Sequence, residues 1–118
     1  MDLGWLDVCL RVRDVGASRS FYEKLGFRRV EGDNAEGWAV MVNGTARLGL
    51  FAPTFMGEDG LSLNFRGGDI GSIAAELAER EIAFEGKANG ASGSLRLRDP
   101  DGHMVFFDSQ PGEVRKDF

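Results

Sequence analysis

The side chains able to hold or move charge sit at alternate positions of short strand-like segments. Trp5, Asp7, Cys9 and Arg11 alternate with Leu6, Val8, Leu10 and Val12, and Arg47, Gly49 and Phe51 alternate with Leu48 and Leu50. Ser62, Asn64 and Arg66 alternate with Leu61, Leu63 and Phe65, and Met104, Phe106 and Asp108 with Val105 and Phe107. Successive strand residues point to opposite faces, so each segment has an apolar face and a mixed one. The apolar faces are expected to pack under helices. The mixed faces combine Trp, Phe and Met with Asp and Arg, the composition of a ligand pocket, which is mostly apolar with a few placed polar groups. All of these mixed-face side chains except Cys9 and Gly49 are therefore candidate ligand-binding residues. Trp38 joins them with its side open, because it alternates with Val40 and Val42, which suit either face.

Other chemistry finds less support. Cys9 is the only cysteine, which rules out an internal disulfide and the multi-thiolate zinc patterns, and no histidine is placed beside it to activate a nucleophile. The only histidine, His103, falls on the apolar-face parity and next to a turn, so a surface or capping role is expected rather than that of ligand or general base. The glycine-rich stretch Gly86 to Gly93 lacks the Gly-Lys-Ser/Thr ending of a phosphate loop and reads as a flexible connection. An aspartate beside an arginine can transfer a proton, so Asp7 near Arg11, Arg47 or Arg66 leaves catalysis open.

Positioning these residues requires a small domain, and the chain describes one twice over. Leu10-Arg11-Val12-Arg13 runs into Asp14-Val15-Gly16, and Leu63-Asn64-Phe65-Arg66 is followed by Asp69-Ile70-Gly71, about half a chain later. Each aspartate can cap a helix, over Ala17 to Leu25 and over Ile70 to Arg80. In the second, Ile70, Ile73, Ala74, Leu77 and Ala78 follow helical spacing opposite Glu76, Glu79 and Arg80. Gly26 is placed to end the first in the left-handed region. Three strands are expected after each helix: Phe27 to Glu31, Gly37 to Val42 and Thr45 to Ala52, then Ile82 to Glu85, Ser94 to Arg98 and His103 to Asp108. Asn43-Gly44 is the expected turn of one hairpin, and Asp99-Pro100-Asp101-Gly102 that of another.

With 118 residues and 42% hydrophobic content the chain suits one domain, in modules of about 1–55 and 58–112 with a tail over 109–118. A net charge of -5 without a cluster of Lys or Arg argues against nucleic acid. Apolar runs such as Trp38 to Val42 fall far short of the ~20 residues a membrane helix needs, and no basic-then-apolar leader opens the chain, so no membrane partner and a cytoplasmic location are expected.

The doubled unit, with Val12 to Phe27 near its start and Arg98-Asp99-Pro100-Asp101-Gly102-His103 near its end, resembles the vicinal oxygen chelate superfamily of glyoxalases, bleomycin-resistance proteins and extradiol dioxygenases. The likeness covers almost the whole chain. It implies an α+β fold of two βαβββ modules forming a curved mixed sheet, or cup, with helices outside, lined by the mixed faces above. It also implies a homodimer. Metal-using members draw ligands from the first and last strands of each unit, places that fall here on Asp7, Gly49, Ser62 and Phe106. Gly and Phe offer no donor, so no metal and no cofactor are expected. The reading that follows is a metal-independent binding protein for a small organic molecule, of the bleomycin-resistance type, sequestering an antibiotic or metabolite. The alternatives are a glyoxalase-like lyase, isomerase or dioxygenase, and an interaction or dimerisation module with a vestigial cup.

Overall fold

The computed structural model describes residues 1–113. Among them the chain runs β1 (Gly4–Arg11), α1 (Val15–Lys24), β2 (Arg28–Asp33), β3 (Trp38–Asn43), β4 (Ala46–Phe51), α2 (Pro53–Met56), β5 (Leu61–Gly67), α3 (Ile70–Glu79), β6 (Glu85–Asn89), β7 (Ser92–Arg98) and β8 (Met104–Ser109). This is the expected α+β order of strand, helix and three strands, twice, with one added helical turn at α2. Two compact units result, one of residues 7–62 and one of residues 1–6 with 63–113.

The helices begin where the aspartates can satisfy their free N–H groups. Asp14 accepts from Ala17 N at 3.0 Å, and α1 starts two residues before the expected Ala17. Asp69 accepts from Ser72 N at 3.0 Å at the head of α3. Both helices end in the same bonded turn: Phe27 N reaches Tyr22 O at 3.0 Å after α1, and Ile82 N reaches Leu77 O at 2.8 Å after α3. The residue that must turn left-handed is Gly26, φ 96°, in the first and Glu81, φ 59°, in the second. A side chain at positive φ is strained, and Glu81 carries that strain where its counterpart has none.

In the unit of residues 7–62 the strand order is β2-β3-β4-β1, with β1 and β4 parallel and the others antiparallel. Val15, Ala39, Met41 and Leu50 form its buried core, with Leu10, Val12, Tyr22 and Phe27 packed against them. Met41 and Leu50, fully buried, each contribute about 1.5–3 kcal/mol by leaving water. In the other unit the order is β5-β8-β7-β6, and Ile70, Ile73 and Leu77 of α3 pack on Leu95 and Phe107, with Phe65, Phe84, Leu97 and Val105 around them. The apolar stripe of α3 is thus as expected, except that Ala78 is exposed in the last turn, beyond the reach of the sheet. The expected apolar faces also fail at their outer ends, where Leu6 and Leu61 are exposed.

Three local expectations are corrected. The β3–β4 hairpin pairs Asn43 with Ala46, so its two central residues are Gly44 and Thr45, one later than expected; Gly44, φ 59°, takes the positive φ that Thr45 would resist. The stretch Gly86 to Gly93 is ordered as most of the β6–β7 hairpin, Asn89 pairing with Ser92. All five residues of β6 are exposed, so this edge strand has no hydrophobic pattern to announce it. Conversely the strand expected over Ile82 to Glu85 begins only at Glu85, since the turn after α3 still holds Ile82.

Candidate functional site

In the unit of residues 7–62, interstrand register stacks one sheet face into three tiers. Val8 pairs with Leu48, so Asp7 lies beside Arg47, and Arg47 pairs with Val42. Next come Cys9, Gly49 and Val40, and then Arg11, Phe51 and Trp38. The face left open for Trp38 is settled by this register and by its ring, which stacks on Phe51 with centroids 6.0 Å apart and planes 9° from parallel.

The first tier is closed. Arg47 Nε donates to Asp7 Oδ1, a second guanidinium nitrogen lies 3.5 Å from Oδ2, and the two side chains are 0% and 2% exposed. Such burial is tolerable only for charges that are paired, since an isolated carboxylate or guanidinium loses its hydration without recompense. The sequence reading placed both among the ligand contacts; the structure directs each to the other. The second tier is narrow. A Cβ on Gly49 would stand 2.6 Å from the Phe51 ring and 2.8 Å from Cys9 Sγ, so glycine leaves room for both. Cys9 itself is buried, with its thiol toward the Asp7 carbonyl at 3.9 Å.

The third tier is open. Trp38 and Phe51 are half-buried, Arg11 is exposed, and Phe55 of α2 meets Phe51 edge-on at 5.9 Å. Phe55 is 55% exposed and was not foreseen. Its signal was Pro53, which suits the first turn of a helix, with Gly57 closing that turn. Trp38, Phe51 and Phe55 form an aromatic shelf, with Arg11 at the strand position paired with Phe51. Ser62 is buried in the same unit.

The remaining candidates belong to the unit of residues 1–6 and 63–113. Trp5 lies over Gly67, where a Cβ would stand 2.2 Å from its ring. Asn64, Arg66, Met104, Phe106 and Asp108 are half-buried. Arg66 is held by Glu113 at 3.0 Å, and the other Glu113 oxygen accepts from Gln110 N at 2.8 Å. Glu113, which lies in the expected tail, is a partner that no strand pattern revealed. Burial pushes the Asp108 carboxyl above its ordinary value, Arg66 pulling it down and Glu113 adding to the rise. His103 is exposed and clamps its turn: its backbone N donates to Asp99 Oδ1 at 2.8 Å and its Nδ1 lies 2.9 Å from Oδ2. Those bonds, the backbone one first, hold Asp99 below its ordinary value.

The family model described as Glyoxalase/Bleomycin resistance protein/Dioxygenase superfamily matches residues 4–107. The chain belongs to this superfamily. Among solved structures it is similar to one titled as an NAD-dependent benzaldehyde dehydrogenase from Legionella pneumophila, at 22% identity and TM-score 0.72 over 88% of this chain and 97% of that one. It is also similar to a glyoxalase/bleomycin resistance protein/dioxygenase superfamily member from Vibrio splendidus 12B01, at 19% identity and TM-score 0.64 over 89% and 97%. A hypothetical protein from Bacillus halodurans C-125 matches at 15% identity and TM-score 0.64, over 97% of each chain. At these identities the likeness concerns the fold. A comparison with curated proteins found no significant match.

A metal of the kind used by some superfamily members does not fit these residues. Of the four places the resemblance assigns to ligands, Asp7 is engaged by Arg47, the side chains of Gly49 and of Phe106, opposite Arg96, have no donor atom, and Ser62 supplies a single hydroxyl. Among the described residues no group of three or more His, Cys, Asp or Glu converges as a metal site.

Proposed function

We propose that this superfamily member is a metal-independent binding protein for a small organic molecule with a planar aromatic part. The observation that carries the reading is the Asp7–Arg47 pair: at the ligand place where a metal-using relative needs a free carboxylate, this chain has one neutralised by a guanidinium and closed to solvent. Lyase or dioxygenase chemistry through a divalent ion needs three or four strong ligands around an open position, and the donors here do not supply them. Binding is supported by the open tier. Trp38, Phe51 and Phe55 offer ring faces for stacking, and Arg11 offers a planar donor fork for a ligand oxygen. A homodimer belongs to the same reading and is tested by light scattering.

The decisive experiment has two parts. Elemental analysis after dialysis should find no stoichiometric Ni, Zn, Fe or Mn; one tightly held transition metal per chain, lost in Asp7→Ala, overturns the metal-free reading. Titration of Trp5→Phe protein with 2-naphthoate should then quench Trp38 fluorescence saturably, and Phe51→Ala should weaken it. Saturable binding that survives both Phe51→Ala and Arg11→Ala would remove the shelf from the site.

A further inference from the structure

We infer a binding site for a small primary ammonium ion in the recess beneath the head of α3. Under the body of that helix the sheet is filled: Leu95 of β7 pairs with Phe107 of β8, and Ile70, Ile73 and Leu77 pack on both. Two residues along, on the same face, Gly93 pairs with Ser109, and this small pair does not fill the space that the larger one fills. The head of α3 is held over it, since Ile70 N donates to Ala91 O at 2.9 Å in the turn before β7. The result is a recess of about 250 Å³, bordered by Gly68 and Asp69 on the side of α3 and by Ser109 and the turn of Gln110 to Glu113 on the side of the sheet. That is just below the roughly 300–1,000 Å³ of sites for drug-sized molecules, so the occupant has only a few heavy atoms.

Ser109 is the reason to expect a ligand there. It is 8% exposed, lines the recess, and its hydroxyl makes no hydrogen bond among the described residues. A buried hydroxyl without a partner is costly, so the recess is completed by a group that bonds it. Asp69 sets the charge of that group. Its Oδ1 accepts from Ser72 N at 3.0 Å, while Oδ2 has no partner among the described residues and can only accept. An anion would be repelled by this carboxylate, whereas an ammonium donates to it and to the Ser109 oxygen at once. Glu113, the other acid at the rim, is taken up by Arg66 and by Gln110 N. Alkyl groups on the nitrogen would remove donors and enlarge the head, so a primary ammonium is the form selected. Ala91 and Pro111 add apolar surface for one or two carbons of the ligand. The site shares no residue with the aromatic shelf, and neither depends on the other.

Ethylammonium, with ethanol as its neutral counterpart and acetate as its anionic one, tests this by amide chemical shifts in the full chain at constant ionic strength. Ethylammonium should shift the amides of residues 68, 69, 109, 110 and 112 in one saturable process, with ethanol and acetate each at least about fivefold weaker. Ser109→Ala should weaken ethylammonium about tenfold, as the loss of a hydrogen bond to a charged group implies, without lowering Tm, since no bond within the protein is lost. Asp69→Asn keeps a side chain that caps α3 but removes the charge, and should weaken ethylammonium about fivefold. Acetate binding as tight as that of ethylammonium, saturable shifts confined to other residues, no saturable shift at all, as for a recess that holds only water, or unchanged affinity in Ser109→Ala would each overturn the proposal.

Discussion

Replacing Arg47 by methionine should be among the most damaging single changes available to this chain, although no apolar atom of the core is removed. The guanidinium is fully buried and bound to a carboxylate that is 2% exposed, so deletion takes a charged partner from a carboxylate that water does not reach. Breaking such a pair costs about 3–5 kcal/mol, whereas replacing both partners by apolar residues of similar size is often neutral or stabilising. For a domain of this length, 1 kcal/mol moves the melting temperature by roughly 4 °C, so Arg47→Met is expected to lower Tm by roughly 12–20 °C. Asp7→Leu should do comparable harm, and the double variant Asp7→Leu/Arg47→Met should recover most of the loss. Calorimetry with urea titration reads all four proteins. The reasoning fails if Arg47→Met costs less than about 1 kcal/mol, or if the two single losses simply add in the double variant.

Three further outcomes follow from the same structure. Glu81→Gly should stabilise by about 0.5–1 kcal/mol, because relief of the left-handed strain exceeds the added freedom of the unfolded chain; a lower urea midpoint would show that the Glu81 side chain contributes more than its backbone costs. The raised Asp108 carboxyl binds its proton more tightly folded than unfolded, so its contribution to stability falls as pH rises from about 3.8 through the folded value. Asp108→Asn should accordingly gain stability at neutral pH, and the gain should vanish in acid; a pH-independent difference would contradict this. The Asp99 carboxyl should titrate below 3.8 by NMR and move only part of the way back up in His103→Ala, which keeps the larger backbone bond, and a midpoint unchanged by that substitution would remove the His103 ring as a cause.

Much of the scaffold was legible in one dimension because it rests on local rules. Asp14 and Asp69 cap helices through side-chain oxygens that bond a backbone N–H three residues on, and the stripe of Ile70, Ile73 and Leu77 needs only helical periodicity. Alternation along β1 and β4 likewise set Asp7, Cys9, Arg47 and Phe51 on the face opposite Leu10 and Leu50. The sequence also determined which residues are available for chemistry, with glycine and phenylalanine at two of the four places that the resemblance assigns to metal ligands. What each charged group does was decided elsewhere. Asp7 and Arg47 are 40 residues apart, and only the parallel register of β1 on β4 brings them together; neither neighbour in sequence carries that information. Trp38 acquired a side from its pairing with Phe51. The strand β6 exists because β7 supplies its hydrogen-bonding partner, not because its exposed residues favour extension, while the stretch expected as a strand at Ile82 to Glu85 was claimed at its first residue by the end of α3. Pairing between strands and the burial that accompanies it depend on contacts distant in sequence, so they turned a list of polar residues into a closed ion pair, an aromatic shelf and a recess under α3.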